Sequence, residues 1–471
     1  MTRGTWKRGG SRPREWCRAA ALGILGVFTL LPAPSWGLTL PQALDWALES
    51  SPEWNRARLE TGIRKSERIQ ALGSYLPSLA VSETYINTNN PLTAFGILLN
   101  EGIVKGATLS NVNSLNNPTY TQTFGFAASL SETIFDGGNR FFGLKAAKRR
   151  ETGARNEKDW KRQTLISRVT RAYLGVIFAE REIRVVRREL VAAQSDRDIA
   201  RHRWEAGSLL KSEYLRARVH ESHMAIMLLE AEKRATLSRL ELSRLVGRPL
   251  GKGILLAPPA LFEGGVPAVL SGLSAKGERT LLDEALARRP DYLAVKEEVR
   301  ARDQQVSQAL SGFLPHVAVQ GIYNEYNQGL SAWGQQSFTA VGQVSWDLFS
   351  GLSDKERRSR ARLRLRMAEY RREDLLRTLH YEVSKSLATA AIAARSLSAD
   401  AERVSQAEEA LRIIRSRYQV GLETVSRLLR SEARYREAKL KTLRDRYRMD
   451  ESAVDLLWAT GTLSRGAPLF R

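Results

Sequence analysis

The chain carries one pattern twice, and the offsets between the two copies are constant. Displaced by 238 residues, Leu44, Asp45, Ala47, Leu48 and Pro52 fall on Leu282, Asp283, Ala285, Leu286 and Pro290. The same register carries Ala71, Leu72, Leu76, Pro77, Val81 and Tyr85 onto Ala309, Leu310, Leu314, Pro315, Val319 and Tyr323. Further on the offset is 214, which aligns Phe124 with Phe338, Phe135 with Phe349, Gly137 with Gly351, Ala147 with Ala361, Gly207 with Gly421 and Gly247 with Gly461. The difference of 24 is an insertion in the first copy, between Tyr85 and Phe124. A duplication of this kind means that whatever one half folds into, the other repeats.

Each copy reads as helix, strand, strand, long helix, turn, helix. Apolar residues at three-and-four spacing (Leu44, Leu48; Ile63, Ile69, Leu72) predict a helix from Pro41 to Ser74, and its partner runs from Arg279 to Gly312. Leu76-Pro77 and Leu314-Pro315 stop these helices. Alternation follows. In Thr123 to Ile134, Phe124, Phe126, Ala128 and Leu130 are apolar and their neighbours small or polar; Phe338, Ala340, Gly342, Val344, Trp346 and Leu348 repeat that period. Such a period fits a half-buried soluble sheet or a membrane barrel strand.

Length separates these two readings. From about Asn139 to Glu205, and from about Asp354 to Gln419, there is no proline and little glycine. Helices of about 67 residues reach roughly 100 Å, far beyond a compact domain. Return helices, about Ser212 to Val246 and Ser426 to Thr460, follow Gly207 and Gly421. A return helix and a leading helix laid end to end equal one long helix, which describes a cylinder wall. Four strands cannot close a barrel whose minimum is about eight, so the strands must be pooled from several chains.

The first 37 residues read as a cleaved export signal. Six basic residues (Arg3, Lys7, Arg8, Arg12, Arg14, Arg18) precede an apolar stretch, Ala19 to Leu31, too short for a stable span, and Ser35 and Gly37 stand at the cleavage positions. The sole cysteine, Cys17, lies inside this leader, which excludes disulfide scaffolds and cysteine-based metal centres. Removing six basic and one acidic residue takes the net charge from +22 to +17. Export makes nucleic acid an improbable partner for that charge, and a mean hydropathy of −0.33 excludes a bundle of transmembrane helices. The domain division is then 1–37 signal, 38–247 first repeat, 248–278 Gly/Pro-rich linker at mid-height, 279–461 second repeat and 462–471 tail, with a long loop at 87–120.

With these motifs in order and in duplicate, the mature chain resembles the TolC family of outer-membrane efflux proteins. The residues carrying the resemblance are Leu44 to Pro52 and Leu282 to Pro290, Tyr75-Leu76-Pro77 and Phe313-Leu314-Pro315, Phe135 to Gly138 and Leu348 to Gly351, and Arg417-Tyr418 with Gly421, of which Arg203-Trp204 with Gly207 is a less regular copy. The resemblance implies a mainly α fold with a small β part: a long α-helical barrel joined to a transmembrane β-barrel shared by a homotrimer. It further implies an outer-membrane channel-tunnel of a tripartite efflux or type I secretion system, with an inner-membrane pump and a periplasmic adaptor as partners. Phe124, Phe126, Leu130, Phe338, Val344 and Trp346 are then expected to face outer-membrane lipid. Family members often carry aspartates six and nine residues after the second turn glycine, where this chain has Arg427 and Arg430; Glu213, six after Gly207, keeps an acid. Arg427, Arg430, Glu213, Glu423 and Tyr418 are therefore the candidate periplasmic aperture. Either the arginines line it, offset by Glu213, Glu423, Glu432 or bound anions, or they turn outward and pair on the helix surface.

No enzyme chemistry is legible. Gly247 to Lys252 has the wrong spacing for a phosphate loop and lacks its Ser or Thr. His220 and His223 lack a third metal ligand at a recognised spacing and read as exposed helix histidines. No cofactor is expected. The rival reading is a periplasmic coiled-coil structural or adaptor protein that never enters a membrane; it explains the helices but not four amphipathic strands in duplicated hairpins. A third, an exported basic protein binding polyanions, accounts only for charge.

Overall fold

The computed structural model describes residues 37–251, 254–258, 270, 272, 275–329 and 334–464. The expected leader, most of the 248–278 linker and most of the C-terminal tail lie outside the described residues. In chain order the elements are α1 (Leu40–Ser50), α2 (Pro52–Gly73), β1 (Ser78–Thr88), α3 (Pro91–Asn100), α4 (Gly106–Ser110), α5 (Val112–Asn116), β2 (Thr121–Asp136), α6 (Asn139–Glu205) and α7 (Lys211–Val246). The second repeat gives α8 (Glu278–Arg288), α9 (Pro290–Gln308), β3 (His316–Asn327), β4 (Gln335–Ser345), α10 (Ser353–Gln419) and α11 (Val425–Ala459).

Both expected 34-residue helices are broken in two. Ser51 and Arg289 adopt extended backbone (φ −66, ψ 116 and φ −69, ψ 115) because each precedes a proline, whose ring disfavours the helical conformation of the residue before it. The proline then starts the next helix, where its missing N–H costs nothing. The expected 87–120 loop holds three short helices, the first capped by the Asn90 side chain, and it buries Ala94 and Ile97.

The 67-residue helices α6 and α10 run the length of the molecule. Beside their first halves lie α2 and α9, in the lateral order α2, α6, α9, α10; beside their second halves lie α7 and α11. The main core sits where the two tiers meet, around Leu44, Tyr173, Leu242, Leu281, Val383 and Leu456. There the Tyr173 hydroxyl points at the carbonyls of Leu38 and Ala257, 2.6 Å from each. Arg289, 1% exposed, lies 4.6 Å from the Trp160 ring centre and 5.2 Å from that of Trp458, and donates to Asp291 at 2.8 Å. A buried guanidinium is tolerable only when held this way. Gly461 permits it, since a Cβ there would lie 2.8 Å from the Arg289 Cα.

The four strands form one antiparallel sheet in the order β1, β2, β3, β4, with a bulge in β2 at Thr133/Phe135. Both edges, β1 and β4, are without a partner among the described residues.

Candidate functional site

The sheet has two chemically distinct faces, and the register assigns each residue to one of them. Phe126 stands opposite Glu83 and Glu325, Leu130 opposite Leu79 and Gly321, and Tyr323 opposite Ala128 and Phe338. Phe124, Phe126, Leu130, Phe338 and Val344 therefore share one face, with Tyr85 and Phe124 rings 4.9 Å apart and Phe126 and Tyr323 rings 6.5 Å apart. Trp346 lies one residue beyond β4, and its indole N–H donates to the Phe313 carbonyl at 3.2 Å. Glu83, Glu132 and Glu325 interrupt the apolar face; Glu325 accepts from the Gly334 amide at 2.8 Å. The opposite face carries Ser82, Thr123, Ser129, Ser131, Gln320, Asn324, Thr339 and Gln343, mostly small or polar and interrupted by Ile86, Ile322, Tyr326 and Val341. One apolar face, one polar face and two open edges are what a segment of a membrane barrel needs and what an isolated sheet in water cannot sustain.

The polar face continues onto the helices. A cavity of about 580 Å³ joins His316, in register with Ser345 on the polar face, to Gln305 and Gln308 of α9 and to Arg357, Arg360 and Arg364 of α10. Below it a cavity of about 470 Å³ is lined by Arg64 of α2, Arg150 of α6, Glu298 and Arg302 of α9 and Arg371 of α10. Burial, with Arg302 beside it, pushes the Arg150 guanidinium below its ordinary range.

At the far end, Gly207 and Gly421 turn the chain with φ of +73° and +81°, conformations that suit glycine. Arg427 donates to Glu423 at 2.8 Å, one helical turn away, and both Arg427 and Arg430 are exposed. Glu213 accepts from Arg216 at 2.9 Å, and Arg216 also reaches the Ser426 hydroxyl, which ties the two turns together. Tyr418 belongs elsewhere. It is 1% exposed and packs with Ala200, Leu411, Val425 and Leu428, so it supports the turn from inside and lines no aperture. Apolar periodicity along α10 could have shown this, because Tyr418 continues the seam of Leu411 one two-turn step on.

Sequence reasoning also missed a buried polar knot just above the turns. Glu432 of α11, 2% exposed, accepts from Arg415 of α10 and lies against Asp196 of α6 and His220 of α7, whose ring nitrogen is 3.6 Å from its carboxylate. Burial, reinforced by the Asp196 carboxylate, pushes Glu432 up to about 8. Burial and the positive charge of Arg436 push His220 down. The His220 side chain is largely covered, contrary to its reading as an exposed helix histidine, because α11 closes over it; His223 is exposed. Among the described residues no cluster of three metal-ligating side chains occurs.

A family model described as outer membrane efflux protein matches residues 43–248 and 281–462, most of the chain. The chain belongs to the outer membrane efflux protein family. These are outer-membrane channel proteins rather than enzymes. Among curated relatives, the outer membrane protein OprJ of Pseudomonas aeruginosa is 24% identical over 57% of this chain and 55% of its own length. The chain thus spans about half of that relative. Protein CyaE of Bordetella pertussis is 24% identical over 92% of this chain and 88% of its own. Among solved structures, CusC superposes with a TM-score of 0.75 at 14% identity, covering 90% of this chain and 92% of its own. VceC of Vibrio cholerae gives 0.74 at 18% identity, covering 90% and 96%. At such identities the structures establish a shared fold, mainly helical with a small antiparallel sheet.

Proposed function

We propose that three copies of this chain form an outer-membrane channel-tunnel that passes solutes or polypeptides from a pump and adaptor in the cell envelope to the outside. One observation carries the reading: a four-stranded sheet with an apolar face, a polar face and two open edges runs directly into helices of 67 residues. Three such sheets joined edge to edge give twelve strands, enough to close a barrel. The lateral seams fit the same arithmetic, since α2 exposes Leu59, Ile63, Ile69 and Leu72 and α10 exposes Leu363, Met367 and Tyr370 at the two outer edges of the helical layer. An adaptor has an exposed apolar surface to meet along α7, in Leu215, Val219, Ile226 and Leu229. The purified protein is expected to require detergent for extraction from outer membranes, to migrate as a trimer and to conduct in planar bilayers. Release by a carbonate wash, as a monomer without conductance, would instead favour the non-membrane coiled-coil reading.

Arg427 and Arg430 then surround the periplasmic opening, six per trimer, with Glu423 neutralising part of their charge. In a salt gradient the wild type is expected to favour anions, and Arg427→Asp with Arg430→Asp to shift the reversal potential toward cations. An unchanged reversal potential removes both from the opening.

A further inference from the structure

The helical wall next to the barrel carries a stripe of arginine that the transport reading does not require. Arg357, Arg360, Arg364 and Arg371 follow one another along α10 at steps of three, four and seven residues, so they share one face of the helix. Two cavities show which face that is. The upper one places Arg357, Arg360 and Arg364 beside His316, a residue of the polar face of the sheet; the lower one places Arg371 beside Arg64, Arg150 and Arg302 from the three other helices of the layer. In a barrel whose apolar face meets lipid, the polar face and everything continuous with it lines the lumen.

The charge along this stripe is not cancelled locally. Arg357 pairs with Asp354 at 2.9 Å, Arg302 with Glu298 at 2.7 Å and Arg64 with Glu60 at 2.8 Å. Arg360, Arg364 and Arg371 have no ion-pair partner among the described residues. The one carboxylate lining the upper cavity without such a partner is Asp347. In the upper cavity Arg360 and Arg364 face that one carboxylate; in the lower, Arg371 and Arg150 lie with Glu60, Glu157 and Glu298, whose ion pairs are with Arg64, Lys161 and Arg302. Repeated by threefold symmetry inside a narrow tube, this excess of guanidinium makes a field that bulk salt screens less well than on an open surface.

Resting on the channel reading above, we propose that Arg360, Arg364 and Arg371 form an anion track in the upper tunnel, and that the channel's cargo is small molecules bearing several phosphate, sulfonate or carboxylate groups. Guanidinium groups suit such cargo because their planar donors match two oxygens of one anionic group at once. Spacing along the track lets an anion pass from one arginine to the next without full rehydration, which keeps binding weak enough for release.

The test is block of single-channel current by inorganic tripolyphosphate added on the side of the extracellular loops, where it meets this tunnel before the periplasmic opening. Wild type is expected to be blocked, and Arg360→Gln, Arg364→Gln, Arg371→Gln together to raise the half-blocking concentration at least about tenfold while current persists. The three corresponding lysine substitutions keep the charge without the planar fork, and are expected to raise the half-blocking concentration less than the glutamine set does. Wild type insensitive to tripolyphosphate, or a triple glutamine variant blocked as strongly as wild type, overturns the proposal. Arg364→Cys gives an independent measurement, since no other cysteine follows Cys17. An anionic methanethiosulfonate is expected to modify it in the assembled trimer and to lower conductance; modification that leaves conductance unchanged places the stripe outside the lumen and overturns the proposal as well. Complete absence of wild-type current defeats the channel reading itself, a result distinct from all of these.

Discussion

Arg203, in the last turn of α6, donates to the Tyr418 carbonyl at 2.8 Å and lays its guanidinium 5.1 Å from the centre of the Tyr418 ring. It also reaches the Gln419 carbonyl, so an arginine of the first repeat caps the C-terminus of the long helix of the second. The four final carbonyls of a helix have no partner of their own, and a cation placed on them is favourable. Arg203→Ala is expected to cost about 1 to 2 kcal/mol locally, seen as faster amide exchange over residues 411–419 with the sheet unchanged. Exchange that rises equally throughout the chain would show that this contact carries no local role.

Glu432 gives the same end of the molecule a pH dependence. Its folded pKa of about 8 lies above its ordinary 4.5, so the stability it contributes is fully present below about 4.5 and is lost as pH rises through about 8. The protection of amides near Arg415 and Glu432, taken relative to their intrinsic base-catalysed exchange, is expected to fall between about pH 5 and about pH 9, and Glu432→Gln to flatten that dependence. Protection that rises with pH would show instead that Arg415 holds the carboxylate ionised.

The two faces of the sheet predict opposite tolerances. Arginine at Phe126 is expected to cost about 2 to 4 kcal/mol at mid-membrane depth, whereas arginine at Ser129, on the opposite face, should be accepted. The yield of heat-resistant trimer in outer membranes reads both. Equal yields would mean that neither face meets lipid.

Removal of Leu92 to Asn116 takes out the three short helices of the insertion but none of the strand residues. The trimer is expected to form and conduct, because the second repeat joins β3 to β4 without any such segment. The deletion strips away the packing of Ala94 and Ile97 and the hydrogen bond that Gln328 donates to Glu101, which points to a modest fall in melting temperature as the only defect. Failure to trimerise would assign the insertion a part in assembly.

Large features of this fold were legible because they depend on spacing alone. The bounds of α6 agree with the proline-free run, Asn139 to Glu205, and the apolar alternation located β2 and β4 to within three residues. The helix breaks at Ser51 and Arg289 were missed although Pro52 and Pro290 mark both; a proline inside a sustained apolar period reads equally as a first-turn residue or as an interruption. Tyr418 was misplaced for a different reason: counting from a turn glycine locates a residue along the helix but not around it. The knot of Glu432, Arg415, Asp196 and His220 draws one side chain from each of four helices, up to 236 positions apart in sequence, and no local pattern marks such a convergence.

The open edges of β1 and β4 set a schedule for a newly exported chain. Backbone donors and acceptors left bare along a strand pair with whatever strand arrives first, correct or not. On the trimeric reading, a protomer that has crossed the inner membrane is therefore racing: it must meet two sisters before it meets a protease or an unrelated edge. Stability of the finished tube does nothing to help at that stage, since the relevant quantity is the concentration of sisters in the periplasm. Expression level, rather than any property of a single chain, then decides what fraction of the chains made ever becomes channel.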